Sequence, residues 1–166
     1  IFNMKINVKN LNIHNRFDLF LKYMYILYKE QKYKSSFYEQ AYKNHLQIWN
    51  NFVEYNDKTK NSYSEFCSRF DKIIESFKND SFDINQSPIP IRNNNLLNGS
   101  HRAAASLYFQ KDIECFESFE ASDGQVDCSY LFLKNLVRDS KKIEESFLDE
   151  AAVIASDIFE DSKIIC

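Results

Sequence analysis

Apolar side chains recur at helical spacing through the first half of the chain. Phe17, Phe20, Leu21, Met24 and Tyr28 fall at i, i+3, i+4, i+7 and i+11 and predict a helix over 16–29. Asp18, Lys22, Tyr25 and Lys29 line a different face of that helix. Tyr38, Ala41, Tyr42, His45, Leu46, Trp49, Phe52 and Val53 form a second long stripe. Ser62 and Glu65 make a capping box, the signature of a helix start. The helix it opens buries Tyr63, Phe66, Cys67, Phe70, Ile73, Ile74 and Phe77. Ahead of all three, Ile6 and Val8 predict a short strand.

The pattern changes after residue 80. Pro88-Ile89-Pro90-Ile91 is extended, because proline fixes φ and pushes the preceding residue toward the β region. Asn93-Asn94-Asn95 reads as a turn, and Leu96-Leu97 as the returning strand of a hairpin. An alanine-rich helix spans 101–110, and residues 113–119 alternate imperfectly as a strand. Asp123-Gly124 is a turn, Tyr130 to Val137 a short helix, and Lys141 to Phe159 a final helix with Ile143, Phe147, Ala151, Ile154, Ala155 and Ile158 inward. The expected architecture is α+β: one domain with a helical leading segment (1–80), a small mixed sheet (81–122) and a helical closing segment (123–166).

A chain of 166 residues can bury one good core, and 44% hydrophobic with 16% aromatic content excludes a disordered chain. A net charge of −3 weighs against a nucleic-acid partner. So does the acidic run Glu144, Glu145, Asp149, Glu150, Asp157, Glu160 and Asp161 near the end. Cys67, Cys115, Cys128 and Cys166 are widely spaced with no Cys-x-x-Cys pair, so neither a zinc site nor a redox motif is expected. Reduced thiols and the lack of a signal peptide or membrane span point to a cytoplasmic location. The start at Ile1 and the strand-like end Ile164-Ile165-Cys166 suggest a piece of a longer polypeptide.

The chain has only two glycines, where average usage would supply roughly 12. One lies in Leu96-Leu97-Asn98-Gly99-Ser100-His101-Arg102-Ala103-Ala104-Ala105. A glycine there permits positive φ, and the following helix start turns its amides and positive dipole end outward. Arg102 adds a fork of donors. Asn98, Gly99, Ser100, His101 and Arg102 are therefore the candidate phosphate site, with His101 able to donate to a phosphate or shuttle a proton. Phosphoryl transfer also needs a base for the acceptor hydroxyl. Asp83 is the first candidate, then Glu114 and Glu117. Arg16, Asp18 and Lys22 are candidate substrate-binding residues. The alternative is an Asp18–Lys22 salt bridge at i, i+4 that leaves Arg16 unpaired. His45 and Trp49 lie on the apolar stripe and read as core, and nothing singles out His14.

The segment from Pro88 to Ala104, with Asn98-Gly99-Ser100-His101-Arg102 at its centre, resembles the ParB/sulfiredoxin superfamily. The resemblance covers roughly residues 82 to 120. It implies nucleotide phosphates held by Gly99, Ser100, His101 and Arg102, with ATP or CTP and Mg²⁺ as cofactor. Sulfiredoxins carry a catalytic cysteine where this chain has Ser100, which puts sulfinic-acid repair in doubt. Arg16-Phe17-Asp18 with Lys22, and Tyr42, His45 and Trp49, resemble leading helices of ParB-like modules in bacterial surface-polysaccharide gene sets. The implied function is a nucleotide-dependent phosphotransferase acting on a small hydroxylated acceptor. The alternatives are a nucleotide-binding module without transfer activity and a structural accessory domain.

Overall fold

The computed structural model describes residues 2–81, 87–119 and 127–159. The expected turn at Asp123-Gly124 lies outside them. Six helices and a small mixed sheet make up the fold, in the order β1 (Asn3–Ile6), α1 (Phe17–Lys29), α2 (Ser36–Asn50), α3 (Tyr63–Lys78), β2 (Ile89–Arg92), β3 (Asn95–Leu96), α4 (Ser100–Phe109), β4 (Ile113–Glu117), α5 (Tyr130–Ser140) and α6 (Ser146–Ile158). The α+β architecture is as expected.

The sheet runs β1-β4-β2-β3. β2 pairs antiparallel with β3 and parallel with β4, while β1 pairs antiparallel with β4. A parallel pair needs a long crossover, and α4 supplies it between the hairpin and β4. Asn93 and Asn94 take positive φ to close the hairpin. Inward residues alternate: Ile89 and Ile91 on β2, Ile113 and Cys115 on β4. The expected first strand ends earlier than Val8, which sits in a 3-10 turn and is fully buried.

α1 is the hub. It packs against both α2 and α4, while α3 packs on α4 and α5 on α2. Leu19, Phe20, Leu21, Met24 and Ile26 are fully buried, and so nearly are Asp18, Lys22 and Tyr25 on the polar face. That face is solvated only at its end, where Lys29 is exposed. α3 opens on the expected cap, with Ser62 Oγ accepting from the Glu65 amide at 3.2 Å. The last helix begins at Ser146 rather than Lys141, because Lys141 takes a left-handed conformation that terminates α5. No helix among the described residues is long and apolar enough to cross a membrane.

Candidate functional site

The hairpin β2–β3 delivers the chain to Asn98 and Gly99 directly before α4. Gly99 has φ +78°, a conformation that L side chains rarely adopt. It forms the N-cap of α4, and no side chain caps the helix. The Ala103 amide bonds back to the Gly99 carbonyl at 2.9 Å. The amides of Ser100, His101 and Arg102 precede that first bond, so the helix gives them no acceptor. They border a cleft of about 650 Å³ that is also lined by Arg16, Asp18, Lys22, His45, Trp49 and Lys60. The residues expected to hold phosphate and those expected to hold substrate thus share one cavity.

Arg102 Nη1 donates to the Ser87 carbonyl at 2.6 Å. It joins no ion pair among the described residues. Burial lowers its pKa from a very high ordinary value, and the guanidinium stays charged at neutral pH.

His101 is held differently. Its Nε2 lies 2.9 Å from the Tyr42 hydroxyl, and its ring meets Phe70 edge-on at 4.7 Å. Burial, with the charges of Lys22 and Lys60, holds its pKa well below that of an ordinary imidazole. That direction favours the neutral ring and weighs against the proton-shuttle role expected of it. His101 ties the first turn of α4 to α2.

On the opposite wall, Asp18 Oδ1 accepts from Arg16 Nε at 2.8 Å and Oδ2 accepts from Arg16 Nη2 and Lys22 Nζ, both at 2.9 Å. Arg16 Nη1 reaches the Leu96 carbonyl at 3.1 Å, joining the start of α1 to the strand before the glycine turn. Arg16 is therefore paired, contrary to the simple i, i+4 scheme. Burial pushes the Asp18 carboxyl upward, but the charges of Arg16 and Lys22 outweigh it and hold the group well below the usual range. Two buried cations share one carboxylate, leaving an excess positive charge in the wall.

Lys22 Nζ also lies 3.3 Å from His45 Nε2. An ammonium only donates, so Nε2 accepts and the ring proton resides on Nδ1. Nδ1 is buried with no partner among the described residues. His45 is thus core, as expected, but not satisfied. Burial and the Lys22 charge push its pKa down to about 3. An orphaned buried donor costs about 1–3 kcal/mol. One turn on, Trp49 is 40% exposed at the cleft and is not core.

The remaining wall comes from 54–60 and α3. Lys60 pairs with Glu54 at 3.2 Å and stands over the Phe66 ring, 4.1 Å from its centroid. Arg69 pairs with Asp57. Hydrogen bonds from Thr59 and Arg69 bring Asp57 down to about 2. Among the described residues, the lining cations Arg16, Lys22, Lys60, Arg69 and Arg102 outnumber the carboxylates Asp18, Glu54 and Asp57. The cleft is positive on a protein whose net charge is −3.

No family model, no curated protein and no solved structure matches the chain. What the cleft can do therefore rests on its own chemistry.

Two of the expected bases lie elsewhere. Glu114 is exposed on β4 opposite Lys5 of β1, and Glu117 accepts from the Asn93 amide at 2.9 Å in the hairpin. Neither lines the cleft, because alternation along β4 directs Glu114 away from the core. Asp83 lies outside the described residues. Among the described residues no group of three His, Cys, Asp or Glu side chains is placed to hold a metal ion. A magnesium ion arriving with a nucleotide would take its oxygens mainly from phosphate and water.

Sequence reasoning missed Glu54, Asp57, Lys60 and Arg69 as parts of this site. The segment 51–62 has no period to read, and only the fold brings it beside α4.

Proposed function

We propose that this protein binds the phosphates of a nucleotide, ATP or CTP with Mg²⁺, at the N-terminus of α4. The observation that carries this reading is the uncapped first turn at Gly99–Arg102, opening beside a guanidinium that has no ion-pair partner among the described residues, into a cleft whose described lining is net positive. Helix-terminal amides and arginine forks are the groups that hold phosphate oxygens. The likeness of the Gly99-Ser100-His101-Arg102 turn to the ParB/sulfiredoxin superfamily supports the same reading, and a cytoplasmic location suits it.

Phosphoryl transfer to a small hydroxylated acceptor, in bacterial surface-glycan assembly, is the second reading. It requires a base. Asp18, Glu54 and Asp57 are each engaged by a cation, which occupies carboxylate oxygens that a base would need free. The transferase reading therefore falls to Asp83, four residues before the Ser87 that Arg102 holds.

A thermal-shift panel of ATP, ADP, CTP and GTP with magnesium tests binding, since a ligand that prefers the native state raises the melting temperature. Arg102→Ala should lower nucleotide affinity by about ten- to a hundredfold by calorimetry while the fold persists. Unchanged affinity in that variant overturns the reading. Product analysis with hydroxylated acceptors, comparing the parent with Asp83→Asn, separates transfer from binding alone.

A further inference from the structure

The cleft is larger than its phosphate site needs. About 650 Å³ falls within the range of cavities that enclose a whole small organic ligand. A phosphate chain at Gly99–Arg102 leaves much of that space to other parts of the molecule. The end of α2 supplies one uncharged stretch of that wall, with Leu46, Trp49 and Asn50.

Trp49 lies there. A tryptophan is mostly buried in an ordinary domain, yet this one is 40% exposed and lines the cavity. It is also braced. The His45 imidazole is stacked beside the indole, with ring centres 6.4 Å apart and planes 27° apart. Phe132 of α5 meets it at 6.2 Å and 64°. The indole thus has aromatic neighbours on two sides and presents its exposed part to the cavity.

A second observation points the same way. His45 stands four residues before Trp49 on α2, lines the same cavity, and carries the orphaned Nδ1–H. A buried donor without an acceptor is rare, and a ligand is one of its ordinary explanations. The wall thus combines an aromatic face with a donor that has no partner among the described residues. A planar heteroaromatic ring meets both, covering the indole and carrying nitrogen or carbonyl acceptors in its own plane.

We propose that the Trp49 end of the cleft is a ring subsite, in which the nucleobase of the phosphate-bearing ligand stacks on the Trp49 indole beside His45. This rests on the phosphate-binding reading above. Stacking is tolerant of ring identity, so His45 rather than Trp49 is the group that distinguishes one base from another.

Trp49 is the only tryptophan in the sequence, so its emission reports on this subsite alone. The full chain is titrated with CTP, ATP, ribose 5-phosphate and pyrophosphate, following fluorescence and heat. The nucleotides should quench Trp49 and bind about tenfold or more tighter than ribose 5-phosphate or pyrophosphate. Trp49→Ala, checked for folding by circular dichroism, should lose that advantage and keep its pyrophosphate affinity. Nucleotide affinity unchanged in Trp49→Ala overturns the ring subsite and leaves the phosphate reading standing. Ribose 5-phosphate binding as tightly as the nucleotides, with equal quenching, overturns it in favour of a sugar. No binding by any probe, pyrophosphate included, overturns both readings.

Discussion

Gly99 and Ile89 are packed so closely that a Cβ on Gly99 would lie 2.8 Å from Ile89 Cδ1. The glycine therefore has two duties. It turns the chain through positive φ, and it lets the start of α4 rest on β2. Gly99→Ala should destabilise the protein by about 2 kcal/mol, from the left-handed conformation and the displaced isoleucine together. Urea unfolding measures this. Adding Ile89→Val removes the 2.8 Å Cδ1 contact and should recover only part of the steric cost, since Cγ1 and Cγ2 stay 3.0 and 3.2 Å away and φ is unchanged.

The buried pairing of Asp18 with Arg16 and Lys22 is the second test. Asp18→Asn leaves two cations buried with no counter-charge and should cost about 3–5 kcal/mol. The double variant Asp18→Asn with Lys22→Met removes one of those cations and should be more stable than the single variant. If the single variant unfolds at the parent's urea midpoint, the wall does not carry the excess charge described for it.

Acid should weaken the fold before the carboxylates titrate. His45 has an ordinary pKa near 6.5 when unfolded and about 3 when folded. Between those values the unfolded chain binds a proton that the folded chain refuses, so stability is complete above pH 6.5 and falls as pH drops. Each such histidine contributes a slope of about 1.4 kcal/mol per pH unit. His101 shifts in the same direction and adds to it. Asp18, also held low, acts in the window below its unfolded value and deepens the loss at stronger acid. Urea midpoints from pH 7 to 4 measure the slope. His45→Gln should flatten it, and an unchanged slope in that variant would count against a neutral buried His45.

Much of the fold is legible in the order of residues. The stripe from Phe17 to Tyr28 and the Ser62 cap announce α1 and α3, and the Asn93–Asn95 turn between apolar pairs announces the hairpin. These are local signals, and local energetics decide them. The sheet order is not local. Nothing in β1 says that it will pair with β4 across more than a hundred residues.

The site was half legible for the same reason. Gly99 and Arg102 stand out by composition and spacing. Asp18 and Lys22 read as substrate-binding residues or as an i, i+4 salt bridge, and neither reading gives their burial, because periodicity separates polar from apolar positions but not exposed polar from buried polar. Their burial comes from α2 and α4 closing on both sides of α1. Trp49 misled in the opposite direction. Its stripe is apolar from Tyr38 onward, yet α2 runs past the core it covers, and its last turn meets the cavity instead.

The walls of the cleft are drawn from segments lying between residues 16 and 128. Assembly of the pocket and completion of the tertiary structure are therefore one event. A peptide carrying the glycine turn and α4 would have the amides without the buried cations, and an excised α1–α2 hairpin would have the cations without the amides. The cleft here belongs to the folded domain, and it will appear or vanish with cooperative folding rather than travel as a portable motif.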